Sequence, residues 1–552
     1  MRPTDALHRE ALAGHKARLE RFLKDELPAT SWTPVRLGYG LYYQLDHTSH
    51  MQRIKIPCGL ITADQMEVLA DVAARWGRGV AHVTTRQDLQ IHWVPVGEII
   101  EMYEALLAVN ITTRGACADS VRNVTGCPYG GVSPHEPFDV TPYGLAIHDY
   151  FLFNPLNLTL PRKFKIAVEG CPDDCAQVPV NDIGFYAKER DGRRGFSVWA
   201  GGGLGSQALL AQLVAEFVPA DDALVWCEAI VRVQHRHAER KNRKRARMKY
   251  VLKRMGLERF RAAIEEQVVA VEAERGDALR QEVQEALAAY TVPAAAKPVA
   301  GVAARPTFSA WARTNVRDQR QPEYKSAWVR VPLGDLTTED MWLLAGLART
   351  LGNGTMRATN DQNILLPWVA EASLPALHAA LEDAGLGESG AGHVTDVISC
   401  PGMDYCSLAI TRSMGVAESV RSHLLADPET GNGFAADLGP FTIKISGCPN
   451  SCGQHHIGNI GLTGHVVADE RGEQRPYYSI RVGGSVGEGQ GAVGGLVGRF
   501  PEEQAPAVIT ALARFYHRER EAGESFPAFV TRVGKDRLSD AASEGAAGAL
   551  VA

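Results

Sequence analysis

The chain contains two copies of one sequence unit, and this duplication limits the architectures that it can adopt. Residues 56–94 align without a gap to residues 331–369, and 13 of the 39 positions are identical. Residues 164–186 match residues 441–463 in the same order along the chain. Each copy therefore has two parts, and 552 residues are too many for one hydrophobic core. We expect a multidomain protein with pseudo-twofold symmetry.

The first part of each copy has the pattern of a strand, a helix and two further strands. Thr62 and Thr337 are expected helix N-caps, and Gln65 completes a capping box with Thr62. Apolar residues such as Met66 and Leu69 then recur at helical spacing. A sheet this small leaves strand edges unpaired. We therefore expect the two half-modules to pair into one domain.

Four cysteines of the second copy have the spacing of ligands to an iron-sulfur cluster. Cys400 and Cys406 form C-x5-C, and Cys448 and Cys452 form C-x3-C. Thiolates are ligands for both zinc and iron-sulfur centres. Zinc sites usually pair cysteines as C-x2-C, so the wider spacing favours a [4Fe-4S] cluster over zinc or unrelated thiols.

Composition indicates a globular protein in a reducing compartment. The net charge of −6 gives no support for nucleic acid as a partner, and no apolar run is long enough to span a membrane. The first 27 residues are too charged for a signal peptide, so we expect a cytoplasmic location. Ten cysteines there are expected to be ligands or free thiols. The basic segment 237–249 is either a solvated or nucleic-acid-binding face, or a binding site for a polyanionic cofactor.

These features together resemble the siroheme-dependent sulfite and nitrite reductase family, over about residues 39–533. Besides the cysteines, the matching motifs are TRQDLQIH at 85–92, VRNVTGCP at 121–128, LPRKFK at 160–165, AGGGLG at 200–205 and DQN at 361–363. The resemblance implies an α+β, tandem-duplicated, pseudo-twofold fold. In that fold two ferredoxin-like half-modules pair into one domain, beside two α/β domains of the siroheme and [4Fe-4S] type.

The resemblance and the Ala/Pro-rich connection between the copies predict seven segments. They are an N-terminal helical extension at 1–38, a first half-module at 39–110, a first siroheme-binding domain at 111–287, a linker at 288–308, a second half-module at 309–388, a second domain with cluster and siroheme at 389–540, and a tail at 541–552.

The resemblance also implies one siroheme and one [4Fe-4S] cluster that share a cysteine sulfur. Matched position by position, the shared cysteine is Cys452, and Cys400, Cys406 and Cys448 complete the cluster. Siroheme carries many carboxylates, so its pocket must supply cations and amide donors. The residues predicted to bind it are Arg86, Gln90, Arg162, Lys244, Lys249, Gln362 and Asn450.

Four further cations are predicted to be catalytic. By resemblance they face the distal side of the siroheme iron, where they attract a small oxyanion and polarise its oxygens. They are Arg53, Arg122, Lys163 and Lys165. In the sequence KFK the two lysines lie two residues apart, which on a strand places both side chains on one face.

The implied reaction is a six-electron reduction, most simply of sulfite to sulfide. Lys165 favours sulfite, because plant-type nitrite reductases tend to carry Asn at this position and a dianion gains more from an added cation. Nitrite to ammonia, or both reactions, is the alternative, and residues 170–185 look nitrite-reductase-like. No flavin or nicotinamide site is visible, so the expected donor is a ferredoxin, or else an NADPH-flavoprotein.

The first copy departs from the family pattern in its cysteines. Cys171 and Cys175 repeat C-x3-C, but Cys117 and Cys127 are nine residues apart. These four are either remnants of a duplicated cluster site or ligands of a second cluster or metal. His82 also departs, since many family members carry Arg there, so a siroheme carboxylate is either held differently or bound in a pH-dependent way.

Three other residues have no predicted role in the site. His92 is expected to be a core histidine rather than a ligand, and Cys58 and Cys227 to be buried thiols. Two other functions use the same fold. One is a siroheme-free iron-sulfur protein for electron transfer or redox sensing, and the other is a precorrin-3B-synthase-type enzyme. Neither function needs the four distal cations, which are predicted to bind an oxyanion.

Overall fold

The computed structural model describes residues 5–46, 48–427, 437–469 and 471–548. The chain begins with two helices, α1 (Asp5–Leu23) and α2 (Ala29–Gly38). Their side chains Leu19 and Trp32 are buried in the core that the half-modules form. None of the helices in the described ranges is long and apolar enough to cross a membrane.

The elements of the first copy follow the predicted order. The half-module consists of β1 (Leu41–Tyr43), β2 (His50–Ile54), β3 (Leu60–Thr62), α3 (Ala63–Trp76), β4 (Val80–Val83), β5 (Leu89–Val94) and α4 (Ile99–Ala108). The larger domain consists of β6 (Val121–Gly126), α5 (Thr141–Leu152), β7 (Phe164–Glu169), β8 (Ile183–Arg190), β9 (Arg193–Ala200), β10 (Gln212–Pro219), α6 (Ala223–His237), α7 (Met248–Met255) and α8 (Leu257–Ala289).

The second copy repeats this order after an irregular connection at 290–307. Its half-module consists of α9 (Phe308–Asn315), β11 (Val316–Asp318), β12 (Tyr324–Val329), β13 (Asp335–Thr337), α10 (Thr338–Leu351), β14 (Thr355–Ala358), β15 (Ile364–Ala370) and α11 (Leu374–Asp383). Its larger domain consists of β16 (Ile398–Ser399), α12 (Ser413–Ala426), β17 (Ile443–Ser446), β18 (Ile460–Ala468), β19 (Gln474–Val482), β20 (Gly495–Pro501), α13 (Ala505–Glu519), α14 (Phe526–Val533) and α15 (Lys535–Gly548).

The two half-modules pair by exchanging a strand, which confirms that they build one domain. Their sheets have the orders β1-β2-β5-β4-β13 and β11-β12-β15-β14-β3. Asp335 of β13 pairs with His82 of β4, and Thr62 of β3 pairs with Thr355 of β14. The predicted capping box is present at Thr62 with Gln65, and the predicted N-cap Thr337 forms a second, unpredicted box with Asp340. Each copy therefore completes the sheet of the other.

Each larger domain contains a mixed five-stranded sheet. The orders are β10-β9-β8-β7-β6 and β16-β17-β18-β19-β20. Strands β6, β7 and β8 run parallel, as do β16, β17 and β18, and the outer pairs are antiparallel. The carboxyl ends of parallel strands lie at one edge of a sheet, so the loops after them form a natural binding edge.

The C-terminal end differs from the predicted tail. Helix α15 continues to Gly548, and Ala542 and Ala546 on one of its faces are buried against the second core. Apolar contact along this face stabilises a helix of small residues that sequence pattern alone does not distinguish from a frayed end. The last four residues of the predicted tail lie outside the described ranges.

Two glutamines at equivalent positions of the two copies connect the half-modules to the larger domains by hydrogen bonds. Gln87 and Gln362 both have positive φ, 59° and 63°. The Gln87 amide exchanges two 2.9 Å hydrogen bonds with the backbone of Gly126. The Gln362 amide accepts from Ser399 N (2.9 Å) and donates to Val83 O (3.0 Å), so it joins the second larger domain to the first half-module.

Replacing Gln362 by Met should destabilise the protein. Methionine has a similar volume but leaves the buried Ser399 N–H and Val83 carbonyl without partners, at a cost of about 1–3 kcal/mol for each unsatisfied group. Urea unfolding followed by circular dichroism measures the loss of unfolding free energy. A Gln281→Met variant on the exposed face of α8 is the control and should change it by less than about 0.5 kcal/mol. Equal stability of the two variants would contradict the role given to Gln362.

Candidate active site

The loop at 84–88 of the first half-module meets the cysteine loops of the second larger domain. Thr85 Oγ1 donates to the Cys452 carbonyl (2.7 Å), and Gln454 Nε2 donates to the Thr85 carbonyl (3.2 Å). These contacts join residues more than 350 positions apart in sequence. The two copies together therefore build one site around Cys452.

The four cysteines predicted as cluster ligands line this site. Cys400 and Cys448 are buried, Cys406 is half-buried and Cys452 is exposed. Within the described ranges, no three of these sulfurs lie within 4.8 Å of one another, a spacing wider than ligands of a single ion need. Burial, and then the Cys452 thiolate, raise the pKa of Cys400 to about 11. A cysteine with a raised pKa is a neutral thiol until a metal displaces its proton.

Arg53 lies on β2 opposite Gln90 on β5. The Gln90 amide oxygen accepts from Arg53 Nη2 (2.7 Å) and Nε (3.2 Å). Arg53 Nη1 also donates to Cys117 Sγ (3.6 Å), and Arg53 Nε lies 4.0 Å from Asp88 Oδ2. Burial raises the pKa of Asp88 to about 6, although Arg53 and Arg86 oppose this shift. The structure thus brings two predicted residues, Arg53 and Gln90, into contact.

Arg86 is fixed by two hydrogen bonds, and one of its three nitrogens has no partner among the described residues. Its Nη1 donates to Asn181 Oδ1 (2.8 Å) and its Nη2 to the Asn123 carbonyl (2.6 Å). Its buried Nε has no partner in the described part of the chain. An unpaired buried N–H is costly, so this atom indicates an acceptor that a bound anionic group would supply.

Arg122 and Arg162 hold the loop at 116–119. Arg122 donates to the carbonyls of Ala116 (3.2 Å) and Ala118 (2.8 Å). Arg162 Nη1 forms an ion pair with Asp119 Oδ1 (3.1 Å). Both guanidinium groups remain partly accessible, so each retains donors for an anion.

Lys163 and Lys165 carry unpaired ammonium groups in the site. Lys163 directly precedes β7 and Lys165 lies within it; both are half-buried, and neither Nζ has a hydrogen-bond or ion-pair partner among the described residues. Burial lowers the pKa of Lys163 to about 7, against the opposing charge of the Cys452 thiolate. Burial, then Arg86 and Lys163, lower the pKa of Lys165 well below its ordinary value. Two desolvated cations next to Cys452 favour binding of an anion there.

The remaining predicted residues are either exposed or hydrogen bonded to other parts of the protein. Lys244 is exposed in a short 3₁₀ turn, Arg243–Arg245. Lys249 is buried and donates to the carbonyls of Leu204 (2.8 Å), Gly203 and Gln207, so it fixes the glycine-rich loop at 200–205. Asn450 is exposed in the loop between Cys448 and Cys452, and Gln362 joins the domains as described above. Their roles toward siroheme stay predictions.

Two ion pairs of the site were not predicted, although Arg247 lies in the basic segment 237–249 and Asp361 in the DQN motif. Arg247 Nη2 forms a buried ion pair with Asp182 Oδ2 (2.7 Å), and the buried Lys444 Nζ pairs with the half-buried Asp361 Oδ1 (2.8 Å). The duplication offered a signal for Asp182. Its carboxylate accepts from the Lys165 backbone N–H (2.9 Å), and Asn459, at the equivalent position, accepts from Thr442 (2.8 Å). A short polar residue at this position in both copies indicates a shared backbone contact.

The residues without a predicted role occupy ordinary environments. The His92 ring is buried against Tyr405, with 4.3 Å between ring centroids, and burial lowers the pKa of His92 to about 3. His92 is thus a core histidine as predicted. His82 Nδ1 donates to Asp335 (2.7 Å) and His82 Nε2 accepts from Gln362 Nε2 (3.1 Å), so this ring joins the half-modules. Cys58 and Cys227 are buried free thiols.

Comparison with known families matches both parts of both copies. The family model described as "Nitrite and sulphite reductase 4Fe-4S domain" matches residues 117–271 and 390–548. The model described as "Nitrite/Sulfite reductase ferredoxin-like half domain" matches residues 43–109 and 317–384. Together the matched segments include every predicted site residue.

Curated relatives carry the names of both kinds of reductase. Among those named ferredoxin–nitrite reductase, that of Synechococcus elongatus is 32% identical over 83% of this chain and 82% of its own length. A protein of Mycolicibacterium paratuberculosis named sulfite reductase [ferredoxin] 2 is 27% identical over 92% of this chain and 86% of its own. The solved structure of Mycobacterium tuberculosis NirA has the same fold, with a TM-score of 0.79 and 24% identity over 95% of this chain and 94% of that one.

Proposed function

Because the chain belongs to the nitrite and sulfite reductase family, we propose that it reduces sulfite to sulfide by six electrons at a siroheme coupled to a [4Fe-4S] cluster. Membership of the family makes the chain a reductase of the iron-sulfur type. The choice of sulfite as substrate and the presence of siroheme are proposals. The observation that carries the proposal is the pair Lys163 and Lys165, two ammonium groups without partners beside Cys452.

The residues present fit the proposed cofactors. Cys400, Cys406, Cys448 and Cys452 supply four thiolates at a spacing wider than a single ion requires. Siroheme carboxylates need buried donors, and the unpaired Nε of Arg86 is one. The other residues proposed to hold siroheme are Gln90, Arg162, Lys244, Lys249, Gln362 and Asn450. When bound, siroheme and cluster together supply electrons one at a time to the anion.

The chain's own residues would bind and orient the substrate. Arg53, Arg122, Lys163 and Lys165 present positive charge from three segments of the first copy, so an oxyanion between them is held from several sides. Lys163, with a pKa of about 7, can also donate a proton near neutral pH to a substrate oxygen that leaves as water. We propose ferredoxin as the electron donor, since relatives are named for it, with an NADPH-flavoprotein as the alternative.

Nitrite is the second candidate substrate, because relatives such as that of Synechococcus elongatus are named for it. The discriminating residue is Lys165. Sulfite is a dianion and nitrite a monoanion, so a second desolvated cation contributes more to binding of sulfite. Steady-state rates with reduced viologen as donor should therefore give a higher kcat/KM for sulfite. A much higher kcat/KM for nitrite would reverse the assignment of substrate.

The Lys165→Asn variant should shift this preference. We expect the ratio of kcat/KM for sulfite to that for nitrite to fall by about 10- to 100-fold. The substitution removes one positive charge, and this loss weakens the binding of dianionic sulfite more than that of monoanionic nitrite. Lys16→Asn on the exposed face of α1 is the control and should leave the ratio unchanged. An unchanged ratio in Lys165→Asn would show that this lysine does not select the anion.

The cofactors are tested by spectrum and metal analysis of the same preparation. Protein produced with a siroheme supply should show siroheme absorption bands and contain about five irons per chain, four in the cluster and one in the siroheme. Protein with cluster iron but no siroheme bands would instead support an electron-transfer or redox-sensing protein.

A further inference from the structure

A second group of cysteines lies in the first copy, outside the site described above. The sulfurs of Cys127, Cys171 and Cys175 all lie within 4.8 Å of one another, and no other group of three metal-ligating side chains does so in the described ranges. The distance from Cys171 Sγ is 3.4 Å to Cys127 Sγ and 3.9 Å to Cys175 Sγ. Cys117, which the sequence grouped with them, instead contacts Arg53.

The loops that carry these cysteines are fixed by backbone contacts. Cys127 follows β6, and Cys171 and Cys175 follow β7, so all three lie at the carboxyl ends of parallel strands. The buried Glu169 carboxylate accepts from the backbone N–H groups of Gly170 (2.8 Å), Cys171 (2.8 Å) and Ala176 (2.6 Å). This carboxylate sets the conformation of the C-x3-C loop before any ligand binds.

The same loop is held by the second copy. Asn360 Nδ2 donates to the Cys175 carbonyl (3.1 Å), and the Asp174 carboxylate accepts from Gly487 N (2.9 Å). Two of the three thiols, those of Cys127 and Cys171, are buried and that of Cys175 is half-buried, where the first larger domain contacts the second copy. A ligand bound there would cross-link β6 and β7 loops that both contact the other copy.

The spacing of the sulfurs identifies the kind of ligand. Two thiolates on one tetrahedral zinc, each with a Zn–S bond of about 2.3 Å, are about 3.8 Å apart. The observed 3.4 and 3.9 Å lie close to that value, whereas the cluster cysteines of the second copy are spread more widely. We propose that Cys127, Cys171 and Cys175 bind a single zinc ion and not a second iron-sulfur cluster.

Glu136 is a buried carboxylate close to these thiols, but its oxygens do not lie within 4.8 Å of all three sulfurs. Its side chain is buried, and neither carboxylate oxygen has a hydrogen-bond partner in the described part of the chain. It packs on Gly170, next to Cys171, where a side chain on Gly170 would come within 3.1 Å of Glu136 Oε2. Arg320 Nη2 lies 3.9 Å from Glu136 Oε1 and supplies a counter-charge. Glu136 would complete a tetrahedral zinc site only after its carboxylate moves toward the three sulfurs.

The proposal gives the two copies of C-x3-C different inorganic centres. Cys171 and Cys175 are equivalent to Cys448 and Cys452 at an offset of 277 residues. The second copy would carry the redox-active cluster, and the first a redox-inert ion that fixes the contact between the copies. Iron then reports on the proposed function and zinc on this inference, so each can fail independently.

The test is metal analysis of the full-length protein produced with both iron and zinc in the medium. We expect about one zinc per chain in addition to the iron, and zinc-edge X-ray absorption should show about three sulfur ligands near 2.3 Å. Cys171→Ala and Cys175→Ala should each lose most of the zinc while the iron content stays unchanged. Cys227→Ala, which removes a buried thiol elsewhere, should keep both metals.

Three results would overturn the proposal. The first is protein without zinc in which the three thiols react as free cysteines after unfolding. The second is about four additional irons per chain that depend on Cys171 and Cys175, which would indicate a second cluster. The third is zinc with only nitrogen and oxygen ligands, which would indicate adventitious binding. The absorption and metal measurements use the unmodified protein, so they remain decisive if an alanine variant does not fold.

Discussion

The Cys452→Ala variant is expected to lose the reduction of both sulfite and nitrite by more than about 1,000-fold, the scale of removing a member of a catalytic unit. A methyl group cannot replace a thiolate ligand, and the proposed function makes this sulfur the link between cluster and siroheme. Steady-state assays with reduced viologen measure the loss of rate, and iron analysis should show that most of the cluster iron is lost as well.

The loss of activity should not come from a packing defect. Cys452 is exposed, so truncation of its side chain leaves no cavity. Its structural contact is made by the backbone carbonyl, which accepts from Thr85 Oγ1 and is retained in the alanine variant. The fold around the loop at 84–88 should therefore persist, as circular dichroism can verify.

Cys227→Ala is the matched control for removal of a thiol. Cys227 is fully buried in α6, so its truncation should cost about 1 kcal/mol of stability yet leave iron content and activity intact. If Cys452→Ala kept its iron and its rate while Cys227→Ala lost them, the assignment of the cluster to the second copy would be wrong.

The duplication predicted the architecture better than any local pattern. It indicated that the half-modules pair, and the N-caps Thr62 and Thr337 and the capping box of Thr62 with Gln65 were predicted from sequence. It did not predict that β3 and β13 are exchanged between the sheets. A strand buries the same side chains whether it pairs in the sheet of its own copy or in that of the other copy. The hydrophobic pattern therefore cannot distinguish these two arrangements, which depend on the geometry of the connecting segments.

Residues close in sequence to a motif were predicted, and residues that meet across the fold were not. The sequence LPRKFK identified Lys163 and Lys165, which the structure places beside Cys452. In the basic segment, charge alone could not show that Lys244 faces solvent while Arg247 is buried against Asp182. Lys244 lies in the exposed turn Arg243–Arg245, whereas Arg247 follows it as the N-cap of α7.

The grouping of the first-copy cysteines shows the same limit. Spacing alone joined Cys117 to Cys127, because both precede the C-x3-C loop. The structure separates them, since Cys117 lies in the loop before β6 and Cys127 lies after it, at opposite ends of the strand. A strand of six residues spans roughly 20 Å, so two cysteines that flank it cannot bind one ion.

Lys163→Met is expected to lower kcat/KM for the preferred anion by about 10²- to 10⁴-fold, the usual contribution of a general acid. Burial lowers the pKa of Lys163 to about 7, so its ammonium group can give up a proton near neutral pH. Lys163→Arg keeps the positive charge but not this acidity. We therefore expect the arginine variant to retain most of the anion affinity while its kcat falls.

The pH dependence separates proton donation from simple attraction of the anion. Lys163 is protonated only below its folded-state pKa, so kcat/KM of the parent protein should fall as pH rises through about 7. Lys163→Met has no such group and should lack this fall, although its rate is lower at every pH. An identical profile in parent and variant would show that another residue donates the proton.

The stability of the Lys163→Met variant provides its control. The direction in which stability changes with pH follows from the same pKa of Lys163. The folded-state pKa of Lys163, about 7, lies below its ordinary value of 10.5, so between these values the unfolded chain binds more protons and stability rises with pH. Below about pH 7 the folded protein bears the full cost of a desolvated ammonium group. Lys163→Met removes that charge, so the apoprotein should unfold at the same or a higher temperature than the parent. A less active but equally stable variant would place the effect of Lys163 in the reaction and not in the fold.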